Sequence, residues 1–161
     1  MRIHSNGFIS FDFAPAIFPP EAIYIPTPGM PTDLIAASWG DYDPTAGGTI
    51  NYFTSGAAPF RKLVINYINL PPYGGDIGNL TTQIILNETT NSIEIHTASS
   101  PDYGNEKSQG IENIDGTIGF VRPGRNNTIW ETTNDYVAFI PEYCTDSISV
   151  VEGPAVELSG D

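Results

Sequence analysis

The sequence predicts an all-β fold, an antiparallel β-sandwich or jelly roll of about nine to ten strands with little or no helix. Three observations carry that expectation. The chain holds 16 Gly and 14 Pro, spread so that they recur every few positions and leave an amphipathic helix no room to run. Between them lie short alternating stretches rich in Ile, Val, Tyr, Phe and Thr, the side-chain pattern of half-buried strands. Charged residues are 16% of the chain, below the usual quarter, so Asn, Thr and Ser must supply much of the polar surface, as suits an extracellular β protein.

The elements follow in order. In 7–13, Phe8, Ser10 and Asp12 alternate with Ile9, Phe11 and Phe13. Residues 33–39 and 48–54 read as the next strands. Residues 60–70 form a long one, with Leu63, Ile65 and Tyr67 on one face and Val64, Asn66 and Ile68 on the other. Residues 81–87 and 91–97 flank Glu88, Thr89 and Thr90 as a hairpin. Residues 109–113, 116–121 and 135–141 complete the set. Residues 14–33 hold six prolines and read as a surface crossover, because proline donates nothing to a sheet ladder. Residues 99–109 read as a polar loop.

With 161 residues and 40% hydrophobic content, the chain has the size and core of one domain. The sandwich is assigned to 1–143, and 144–161 to a terminal strand or a linker to a following module. Acidic residues number 19 against 6 basic, a net charge of −13. That field repels phosphate backbones and anionic lipid, so nucleic acid and membrane insertion are excluded as partners, while divalent cations and basic proteins are compatible. No apolar run approaches the length of a membrane span. The lone cysteine, Cys144, excludes an internal disulfide and leaves pairing to a neighbouring chain as an alternative to a plain thiol. The opening residues enter as if in mid-strand, which suggests a domain of a longer protein.

Asp41 and Asp43, in WGDYDPTAGG, are the first candidate site. Two carboxylates one residue apart resemble the start of a calcium loop, with Thr45 as a third oxygen, but Pro44 and the missing Glu break that pattern. The preferred reading is a turn: Asp43-Pro44 initiates it and Gly47-Gly48 closes it. A cation site remains the alternative, with Asp76, Glu112 or Asp115 as further ligands. A catalytic pair needs carboxylates facing each other across a substrate, which one turn does not supply. Trp39 reads as a core plug. Trp130, in polar company, reads as the exposed aromatic, and Tyr73 and Tyr103 lie on loops; these three are the candidate ligand-binding side chains. Arg61 is expected to bridge a carboxylate. His4 and His96 are the only histidines, and no nucleophile elbow, zinc-binding helix motif or Gly-rich phosphate loop accompanies them. Asn79, Asn87 and Asn126 open glycosylation sequons of the kind that arise by chance in an Asn- and Thr-rich chain.

The order SNGFISF (5–11), IAASWGDYD (35–43), GTINYFT (48–54), APFRKLVINYINL (58–70), TTQIILNETTNSIEI (81–95) and QGIENIDGT (109–117) resembles a β-sandwich module of secreted and surface proteins of bacteria, often Bacteroidetes. It is also distantly similar to the nidogen extracellular domain. The resemblance spans about residues 3–141. It implies an extracellular or cell-surface module without catalysis and carries no active-site residue across. The first strand is shortened to residues 1–4, so an open edge is expected there. The resulting expectation is a non-catalytic module for adhesion or spacing. Its partners would be a surface protein or glycan and neighbouring modules of its own chain. The alternative is a carbohydrate-binding jelly roll with a structural calcium, the one cofactor candidate.

Overall fold

The computed structural model describes residues 1–11, 21–29, 31–75, 77–142 and 147–154. Asp76 and Cys144, a candidate ligand and the lone thiol, lie outside the described residues, as do residues 14–20 and 30 of the stretch read as a crossover.

The chain is all β. Its strands are β1 (Arg2–His4), β2 (Phe8–Ser10), β3 (Leu34–Trp39), β4 (Thr49–Ser55), β5 (Lys62–Leu70), β6 (Leu80–Asn87), β7 (Ile93–Ser100), β8 (Ser108–Glu112), β9 (Gly119–Val121), β10 (Thr132–Pro141) and β11 (Ile148–Pro154). Eleven strands among the described residues slightly exceed the expected nine to ten. Beyond the nine alternating runs, β1 falls in the shortened first strand expected at residues 1–4, and β11 in the segment read as a terminal strand or a linker. One sheet has the order β1-β2-β3-β8-β9 and the other β11-β10-β7-β6-β5-β4. Among the described residues, every strand pair in both sheets is antiparallel.

Two apolar layers explain the strand patterns. Between the sheets, Ile9, Ile35 and Ala37 meet Ile65, Tyr67, Ile84, Ile95, Val137 and Phe139. On the outer face of the five-stranded sheet, Phe8, Leu34, Ala36 and Trp39 pack under Ile25. β2 and β3 are therefore buried on both faces, which is why LIAASW reads as one apolar run instead of alternating. Trp39 is fully buried, as expected, but in the outer layer, reached through a register shift after Ala36. β5 follows its expected alternation, with Ile65 and Tyr67 turned to the core and Asn66 on the other face, hydrogen-bonded to Asn51 and Gln83.

Candidate functional site

The end of β3 leads into the aspartate turn, and that turn sits where several loops converge. Gly40 is required there: a Cβ would lie 2.0 Å from the Tyr103 hydroxyl. The close approach lets the Asp41 amide donate to that hydroxyl at 3.0 Å. The Asp41 carbonyl accepts from the Tyr73 amide at 3.0 Å, and the Asp43 amide donates to the Pro71 carbonyl at 2.9 Å. Tyr42, between the aspartates, points inward and is buried, its hydroxyl 2.9 Å from Ser38 Oγ.

The two aspartates have different jobs. Asp43 Oδ1 accepts from the Thr45 amide at 2.8 Å and the Thr45 hydroxyl at 2.6 Å, and those bonds hold its carboxyl below its ordinary range. It closes its own turn. Asp41 instead lines a recess of about 250 Å³ with Glu21, Ala22, Asn105, Glu106 and Asn127. Partial burial, then the charges of Glu21 and Asp43, raise its carboxyl above the ordinary value. Among the described residues no three His, Cys, Asp or Glu side chains are grouped to hold a metal ion. Glu112 sits opposite Leu34, at the far end of β3 from the aspartate turn, and its carboxylate accepts from the Thr27 amide at 2.7 Å. Asp115 is exposed in the turn between β8 and β9.

Of the three aromatic candidates, Tyr73 alone is widely exposed, at 66%. Tyr103 packs edge-on against Tyr42 at 5.7 Å, and burial pushes its hydroxyl up to about 12. Trp130 corrects the sequence reading. It is 8% exposed, its indole N–H donates to the Lys107 carbonyl at 3.1 Å, and Lys107 and Arg125 each lie 4.4 Å from its ring. Buried and with two cations against its ring, Trp130 is not the exposed aromatic that the sequence suggested.

Sequence reasoning missed the group that organises this end. Lys107 is fully buried. Its ammonium donates to Ser100 Oγ at 3.0 Å and to the Pro101 carbonyl at 2.5 Å, and faces Tyr103 and Trp130. Burial lowers it to about 8. In EKSQG it looks like any loop lysine; only the fold encloses it. His4 Nε2 lies 2.9 Å from Ser10 Oγ, but Ser10 is fully buried and its hydroxyl out of reach of a substrate.

A family model described as nidogen-related matches residues 1–142, most of the chain. The chain belongs to the nidogen-related family. No curated protein and no solved structure matches it. The nidogen-like side of the resemblance thus holds over both sheets up to β10. A nidogen-related domain is an extracellular, non-catalytic module, and among its described residues no helix is long and apolar enough to cross a membrane. In this nidogen-related domain, the recess by Asp41 and the exposed Tyr73 belong to one cluster of loops, tied together by the bonds between the Asp41 turn and Pro71 and Tyr73.

Proposed function

We propose that this domain is a non-catalytic binding module of a larger surface or secreted protein, acting in adhesion through the loop cluster at the Asp41 end. The observation that carries the reading is the recess itself. Three carboxylates, Glu21, Asp41 and Glu106, and two amides, Asn105 and Asn127, line one cavity beside a rigid sandwich. Loops on a rigid scaffold are where binding residues concentrate. The chemistry fits a partner that presents a Lys or Arg side chain, with Tyr73 as a neighbouring contact. The test is binding to a surface protein partner captured from the native host, compared for the wild type and for Asp41→Asn and Tyr73→Ala. Affinity lost in both variants, with melting not lowered, supports the reading; unchanged affinity overturns it.

A second reading is a carbohydrate-binding module with a structural calcium, for which Glu21 or Glu106 would have to move toward Asp41, since the three are not grouped to hold a metal ion. Melting with excess calcium and then with a chelator separates the two. A ligand that binds only the native state at a hundredfold excess over its dissociation constant adds about 2.7 kcal/mol. A calcium-dependent rise removed by Asp41→Asn, joined to glycan binding, would favour the second reading. No rise would leave the protein partner as the ligand class.

A further inference from the structure

Among the described residues, β4 is an open edge that lacks the usual guards against strand pairing. The other terminal strands of the two sheets are protected: β1 and β9 have three residues each, and β11 carries Glu152 and Pro154. β4 has seven residues, TINYFTS, with no charge and no proline. Its pairing with β5 runs through seven consecutive residues without a bulge. Nearly every residue of β4 is exposed, including Tyr52 at 65% and Phe53 at 38%, and Phe60 at 70% follows in the turn to β5. One side of β4 is paired to β5; its other side is the end of the sheet.

The charge distribution says what can approach that edge. Residues 44–75 contain no Asp and no Glu, and Arg61 and Lys62 are their only charges, in a chain with 19 acidic residues. Two copies meeting at β4 keep their carboxylates apart, whereas contact elsewhere brings like charges together. The strand is also compatible with itself. An antiparallel pairing that uses all seven residues is centred on Tyr52, and sets Thr49 against Ser55, Ile50 against Thr54 and Asn51 against Phe53, with no charge in any pair.

We propose that the β4 edge is a self-association surface. β4 of a second copy pairs with it antiparallel about a two-fold axis at Tyr52, joining the two six-stranded sheets into one. The interface is isologous, so it closes at a dimer.

Sedimentation velocity between about 1 μM and about 1 mM tests this directly. The wild type is expected to pass from monomer to dimer. Tyr52→Glu and Tyr52→Lys each set like charges across the axis and are expected to weaken the dimer by about tenfold or more. An equal mixture of the two variants sets opposite charges across the axis and restores a heterodimer, identified by its native mass. Tyr52 is exposed, so neither substitution disturbs the core, and unchanged melting checks that. Hydrogen exchange needs no variant: amides within Thr49–Ser55 are expected to slow as wild-type concentration rises. A monomer throughout the range overturns the proposal. So does a dimer indifferent to both charges, or a mixture that stays monomeric.

Discussion

Gly40 is the residue on which the aspartate turn depends. An added Cβ meets the Tyr103 hydroxyl at 2.0 Å and Lys107 Cγ at 3.1 Å, so the tyrosine must swing away and release the Asp41 amide. Gly40→Ala is expected to cost about 1–3 kcal/mol in a denaturant titration, the usual range for overpacking. Tyr103→Phe deletes the clashing oxygen, so the double variant should lose less than the sum of the singles. Strict additivity would show that the clash is relieved elsewhere. Lys107 gives a second expectation at this scale. Its folded value, about 8, lies below the ordinary 10.5, so the folded state resists a proton that the unfolded chain accepts. The stability Lys107 gives as a neutral amine is complete above about 10.5 and is lost as pH falls through about 8. Stability of the wild type relative to Lys107→Met should therefore fall between pH 10.5 and 8 and level off below. A difference that stays flat across that window would mean Lys107 remains solvated.

At the scale of elements, Asp135 on β10 ties the sheet to the segment after β9. Its carboxylate pairs with Arg122 and, at 2.6 Å, with Arg125, while Arg122 also reaches Glu152 on β11 at 3.5 Å. Burial alone would push Asp135 up, but the two guanidiniums outweigh it and hold its carboxyl below the ordinary value. That stability is present above the ordinary carboxylate range and lost as pH falls through the folded value. Asp135→Asn removes the carboxylate between two half-buried cations, leaving Arg122 beside Glu152 and Arg125 bonded to Gln109, at a cost of about 1–3 kcal/mol. The variant should also lose less stability than the wild type on acidification, as urea titrations at pH 6 and pH 3 would read. An equal loss on acidification would place the acid sensitivity in other carboxylates. None of this cluster was legible in the sequence, because Arg122 and Arg125 follow β9 of one sheet while Asp135 lies on β10 of the other, and they meet only when the two sheets stack. The strands themselves were legible wherever one face is wet, since burial on one side forces alternation, as in β5 and β7. Double-sided burial removed the alternation from β3, which still read as a strand over 33–39 from its apolar run, and β1 was legible only as a first strand shortened to residues 1–4. The Arg61 bridge came out as expected, with both oxygens of Glu88 engaged, at 2.5 and 2.9 Å. Trp130 did not, because polar neighbours in sequence say nothing about the cations that fold onto its ring.

For the whole molecule the governing quantity is a net charge of −13 on a chain of 161 residues. Folding gathers those charges into a smaller volume, so self-repulsion opposes the compact state. Raising salt from about 0.01 M to about 0.15 M shortens the screening length from about 30 Å to about 8 Å. Melting temperature is expected to climb over that range in sodium chloride, and equally in potassium chloride, because screening is blind to the identity of a monovalent ion. This sets the baseline for the recess by Asp41. Calcium at matched ionic strength must exceed the sodium curve before any of its effect belongs to a site. Asp41→Asn removes one charge from the general field and one ligand from the recess. It should lift the low-salt melting point slightly, and cancel only the excess specific to calcium. A melting point that falls or stays level with sodium chloride would mean that local pairs, such as Arg61 with Glu88 and Arg122 and Arg125 with Asp135, outweigh the general repulsion. The acid-free stretch 44–75 would then owe its composition to something other than a need to spare the fold from like charges.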